Sequence, residues 1–211
     1  MPETRLNEAA AEAEGQRAPA VADALHAEAS RLLRERGIGD LLRSYGHLIY
    51  TGSYALNVMA WPDIDLHLVM EPDSLSLDRF FELGRELARL DGVDRLNFRN
   101  TCRAPVNGLP GGLYWGMRLD AGAPSTTWKV DLWATEADDL EANLALMSRF
   151  QEAMDGPSRR LIVQTKRALL TPAGRTPVLS GIHIYEAILF RGLRSLDDIR
   201  SYLREQGVDG V

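Results

Sequence analysis

The 211-residue sequence predicts an α+β protein, a sheet flanked by helices and followed by a C-terminal helical region. Three observations predict it. Residues 63–70 alternate with the period of a strand: Asp63, Asp65 and His67 share one face, and Ile64, Leu66, Leu68 and Met70 share the other. Two later runs, LYWGMRLD and TTWKVDLWA, are separated by the turn-forming AGAPSTT and read as antiparallel neighbours. The last third reads as four helices, over 136–154, 158–170, 180–191 and 195–206.

Taken in order, residues 1–18 are rich in Ala and Glu without an apolar face, and are expected to be a frayed helix or a disordered arm. From Ala20 on, Val21, Leu25, Ala29, Leu32 and Leu33 recur at helical spacing, and Gly37 offers a stop. A short helical stretch through Leu41 and Leu42 precedes HLIYTGS, read as a strand and its turn. Pro62 opens the next strand, where its missing N–H is tolerated. Residues 74–90 form an amphipathic helix with Leu77, Phe80, Phe81, Gly84, Leu87 and Leu90 inward, ended by Asp91-Gly92. A strand over 93–99 and a turn, NGLPGG, follow. Ser195 with Asp198 resembles a capping box, Gly192 and Gly207 mark two helix ends, and TPAGRTP is a candidate hinge.

The chemistry concentrates between Tyr50 and Met70. Asp63 and Asp65 project side by side from an apolar strand, and like charges so placed do not both stay ionised without a cation between them. Oxygen-only ligands suit Mg²⁺. Gly52 permits close backbone approach, and Ser53 adds a hydroxyl and an N–H at a turn, a setting that favours phosphate oxygens. Each piece also has a plain reading, a Gly-Ser turn and a solvated Asp pair.

The pattern Thr51-Gly52-Ser53, nine intervening residues, then Asp63-Ile64-Asp65-Leu66, resembles the signature of the minimal nucleotidyltransferase superfamily. The third carboxylate that this resemblance calls for is offered by Asp131, which shares a strand face with Lys129 and Trp133. Looser similarity in the C-terminal helices points to the antibiotic-modifying, aminoglycoside nucleotidyltransferase-like members. After Ser53 the chain reads Tyr-Ala-Leu-Asn in place of the Arg-x-Gly of toxin-associated members, which sets it apart from them.

The resemblance implies a mixed sheet, a short helix over 54–60, a nucleotidyltransferase-like catalytic domain over 19–135 and a helical region over 136–211. It implies transfer of a nucleoside monophosphate, AMP from ATP or another nucleoside triphosphate, to a hydroxyl of a small-molecule acceptor by a two-metal mechanism. Asp63, Asp65 and Asp131 are then both catalytic residues and Mg²⁺ ligands. Gly52 and Ser53 bind nucleotide. Lys166 either reaches the β- or γ-phosphate or lies on a solvated helix face. His67 could tune the site or simply pack, and His183 and Tyr185 could line an acceptor pocket or be structural. Two other readings stay open: a nucleotide-binding or regulatory protein of the same fold without turnover, and AMP transfer onto a protein.

The formal charge of −6 argues against a nucleic-acid partner. Residues 157–211 carry nine Arg/Lys against five Asp/Glu, or +4, leaving −10 for the rest, an asymmetry that suits a metal–triphosphate held between the halves or is ordinary surface arginine. Cys102, the one cysteine, excludes an intrachain disulfide. No apolar signal segment and no stretch of membrane-spanning length occur, so the expected location is cytoplasmic, with no membrane partner. Oligomeric state is not legible in the sequence.

Overall fold

The structure is a computed structural model and describes residues 2–70, 76–106, 109, 111–122, 127–135 and 137–211, with side chains described from residue 17 on and not for 137–139. It divides into two compact units, one of Met1–Leu25, Asn57–Trp61 and Arg149–Val211, the other of His26–Leu56 and Pro62–Ser148.

The second unit is built on a five-stranded mixed sheet of order β1-β2-β5-β4-β3. The strands are β1 (His47–Thr51), β2 (Asp63–Val69), β3 (Val93–Asn100), β4 (Leu113–Asp120) and β5 (Thr127–Thr135). Only β2 and β5 run parallel; the other pairs are antiparallel, including the expected β4–β5 pair. One face of the central strands is apolar and closed: Ile64, Leu66, Leu68, Trp128, Val130 and Leu132 are all at most 2% exposed. The α-helices are α1 (Pro2–Glu35), α2 (Ile38–Arg43), α3 (Gly52–Ala55), α4 (Leu77–Leu87), α5 (Ala137–Ala153), α6 (Gly156–Ala168), α7 (Ser180–Tyr185) and α8 (Leu196–Glu205).

Several boundaries differ from the sequence reading. Helix α1 begins at Pro2 and carries Pro19 within it, so the arm and the first helix are one element. Helix α3 starts at Gly52 itself and ends at Ala55, earlier than the 54–60 span. Helix α4 is capped by Ser76, whose Oγ accepts from Arg79 N at 3.2 Å, while the expected start at Ser74 lies outside the described residues. On α4, Phe80, Leu83, Gly84 and Leu87 are buried, but Leu77 and Phe81 are 44% and 45% exposed and so do not point into the core as expected. The apolar stripe is narrower than the run of large residues suggests, because Leu83 takes an inward position. The turns at NGLPGG and AGAPSTT lie partly outside the described residues.

Helix α4 is locked to the sheet through aromatic packing. The Phe80 ring stacks on Trp115 with centroids 5.7 Å apart, and Trp115 Nε1 donates to Phe80 O at 3.1 Å. In the first unit, α7 continues into a π-turn at Glu186–Phe190, where a single helix to 191 was expected. Ser195 caps α8, accepting from Asp198 N at 3.1 Å, as the capping-box pattern predicts. Among the described residues no helix is long and apolar enough to cross a membrane.

Because Phe80 is fully buried, Phe80→Ala is expected to cost about 3–5 kcal/mol by loss of burial and creation of a cavity. Equilibrium urea unfolding measures this; a loss under about 1 kcal/mol would mean that α4 does not anchor the sheet.

Candidate active site

The parallel register of β2 and β5 builds the site. Asp63 stands opposite Lys129, and Asp65 opposite Asp131, so four charged residues form two adjacent pairs on one sheet face. The three carboxylates bring ligand oxygens within 4.8 Å of one another. The Asp63 and Asp131 side chains are only 15% and 16% exposed.

Crowded acids at this depth need compensation, and Lys129 supplies part of it. Its Nζ donates to Asp131 Oδ2 at 2.6 Å and to Asp63 Oδ1 at 3.2 Å. Burial opposes the charge of the ammonium, but Asp63, Asp131 and Asp65 outweigh burial and raise its pKa above the ordinary lysine value. Tyr114, on β4, donates its hydroxyl to Asp131 Oδ1 at 2.8 Å. Burial and the Asp131 charge push the Tyr114 phenol pKa upward, so it stays a donor.

Two glycines make room for these contacts. A Cβ at Gly116, the residue opposite Asp131, would collide with the Tyr114 hydroxyl. At Gly52 the backbone has φ +60°, and a Cβ would strike Asp65 Oδ2. Ser53 follows in the first turn of α3 and is buried, and Thr51 stands opposite Asp65 across β1 and β2. Gly52 therefore lies against Asp65, and Ser53 follows it in the chain. The oxygen-only donor set fits a hard divalent cation such as Mg²⁺.

Lys166 belongs to the helical unit and is not on a solvated face. It is buried, and its Nζ donates to Val58 O at 3.0 Å and to Tyr185 OH at 3.3 Å. The side chain of Tyr185 is thereby occupied within that unit. His183 Nδ1 lies 3.0 Å from Glu186 Oε2, which also accepts from Tyr202 OH at 3.3 Å. Cys102 is exposed.

Tyr114 was missed by the sequence reading. The available signal was Gly116 inside an otherwise bulky strand, a mark of close approach by a neighbouring group. The approaching group is the Tyr114 hydroxyl, two residues earlier on the same strand, and its partner is set by the β4–β5 register, where Gly116 faces Asp131.

Comparison with known proteins adds little. No family model matches the chain, and no curated protein matches it. Among solved structures, it is similar to the poly(A) polymerase complex GLD-2–GLD-3, with 16% identity, 84% of this chain and 62% of that chain covered, and a TM-score of 0.43. It is also similar to the GLD-2–RNP-8 complex, with 15% identity, 90% and 74% coverage, and a TM-score of 0.45. The chain thus spans less than two thirds of the length of the first. At such identity and superposition, the chemistry must be read from the site's own residues.

His67, on the acid face, is 4% exposed, and its Nδ1 has no hydrogen-bond partner among the described residues. Burial lowers its pKa from 6.5 to about 4. The unfolded chain therefore binds the extra proton first as pH falls, so the stability contributed by neutral His67 is complete above pH ~6.5 and is lost toward pH ~4. The span corresponds to about 3 kcal/mol. Relative to His67→Asn, the native protein should lose more stability between these limits in urea titrations; parallel curves would contradict a buried neutral imidazole.

Proposed function

We propose that this protein is a metal-dependent nucleotidyltransferase that moves a nucleoside monophosphate, AMP from ATP, onto a hydroxyl of a small molecule. The observation that carries the reading is the β2–β5 register, which gathers Asp63, Asp65 and Asp131 on one face. Mg²⁺, when bound, supplies charge neutralisation for the triphosphate and acidifies the acceptor hydroxyl.

The chain's own residues do the rest. Asp63 and Asp65 would hold the cation, and the backbone at Gly52 with the N–H and hydroxyl of Ser53 would receive phosphate oxygens. The acceptor oxygen forms a bond to the α-phosphorus as the bond to the bridging oxygen of the leaving pyrophosphate breaks, and the hydroxyl proton passes to Asp131. Alignment of the two oxygens by the fixed sheet lowers the entropic part of the barrier.

A second reading, nucleotide binding without turnover, is favoured by one observation: both Asp131 oxygens already accept hydrogen bonds from the chain. The net charge of −6 favours a small acceptor over nucleic acid.

With α-labelled ATP, Mg²⁺ and a panel of alcohols and aminoglycosides, label should pass to an acceptor with stoichiometric pyrophosphate. Asp63→Asn and Asp65→Asn should each reduce the rate by about 10²–10³-fold, the scale of losing one pre-organised electrostatic group. Nucleotide binding without pyrophosphate release would favour the second reading.

A further inference from the structure

The acid cluster carries a cation of its own. Lys129 is held at both ends: its backbone N donates to Pro62 O at 3.1 Å, and its Nζ bridges Asp63 Oδ1 and Asp131 Oδ2. The bridge follows from sheet register, because Lys129 stands opposite Asp63 and two residues before Asp131 on the same face. Asp131 is fixed from the other side by Tyr114, so its two oxygens meet a phenol and an ammonium. Asp65 lies against Gly52.

From this geometry we infer that Lys129 takes the place of a second divalent ion, and that the site holds one divalent cation, between Asp63 and Asp65, with the Lys129 ammonium between Asp63 and Asp131. The inference rests on the nucleotidyl-transfer reading and refines the two-metal mechanism that the motif implies. Three carboxylates and one ammonium sum to −2, which one divalent ion neutralises. A second ion between Asp63 and Asp131 would meet the ammonium at contact distance, where like charges repel one another.

In the reaction, Lys129 lies where the acceptor oxygen approaches Asp131. It keeps its protons throughout, donating a hydrogen bond to the attacking oxygen while that oxygen's proton passes to Asp131, the new O–P bond forms and pyrophosphate departs. Asp131 thus acts with Lys129 as a hydrogen-bonded pair and does not bind the cation directly.

The test is a count of Mn²⁺ bound to the full chain in the presence of one equivalent of α,β-methylene-ATP, followed by electron paramagnetic resonance. The native protein is expected to bind one ion per chain, with no spin coupling between ions. Lys129→Met is expected to bind two, with the broadened spectrum of ions ~3.5–4 Å apart, and Lys129→Arg one. Two coupled ions in the native protein overturn the inference, and so does a single ion in a folded Lys129→Met. Should the Met variant not fold, the native count and Lys129→Gln decide the matter in the same way. No bound Mn²⁺ in the native protein removes the metal-dependent reading itself, and the inference with it, a result distinct from two ions.

Discussion

The parallel pairing of β2 with β5 is the constraint on which the rest of the site depends. Three carboxylates on neighbouring strands repel one another, and nothing local would keep them together. What does so is the opposite face, where Ile64, Leu66, Leu68, Trp128, Val130 and Leu132 are buried. A slip of one residue on either strand would turn its apolar set to solvent and its acid away from the cluster. Apolar burial thus fixes an electrostatically costly arrangement, and Lys129 relieves part of the cost from within the same register.

The helical unit has its own polar framework. Arg159 Nε donates to Asn57 O at 2.9 Å, Lys166 Nζ donates to Val58 O at 3.0 Å, and Asp23 Oδ1 accepts from Asn57 Nδ2 at 2.9 Å. These contacts hold the carbonyls of Asn57 and Val58, in the segment that runs between α3 and β2 in the chain. The buried Lys166 ammonium meets a backbone and a phenol oxygen there, as a polar group removed from water must find partners.

Period-2 alternation made the shared face of Asp63 and Asp65 legible, and that of Asp131 with Lys129, since alternation states side-chain direction directly; that the two faces coincide needs the β2–β5 register. Gly52 and Ser53 were legible because their chemistry and spacing from the acids are local. The Lys129 bridge was half legible: its face could be read, but its position opposite Asp63 needs the parallel register. Tyr114 was hidden because its partner lies on another strand. Lys166 was legible only in its charge. On a helix with Arg159 and Arg167 it reads as a phosphate-binding or solvated cation, and only tertiary packing reveals the carbonyl of Val58 above it. The π-turn after α7 leaves no mark in apolar spacing that separates it from a continuous helix.

The most direct measurement of the central claim, that the acid face is a cation and triphosphate site, is thermal unfolding with Mg²⁺ alone, ATP alone and both together. Binding to the native state raises the melting temperature, and the stabilisation grows with the logarithm of ligand concentration over Kd. The pair should raise it by more than the sum of its parts in the native protein, and this excess should vanish in Asp65→Asn. An equal excess in Asp65→Asn, or none in the native protein, would contradict the account.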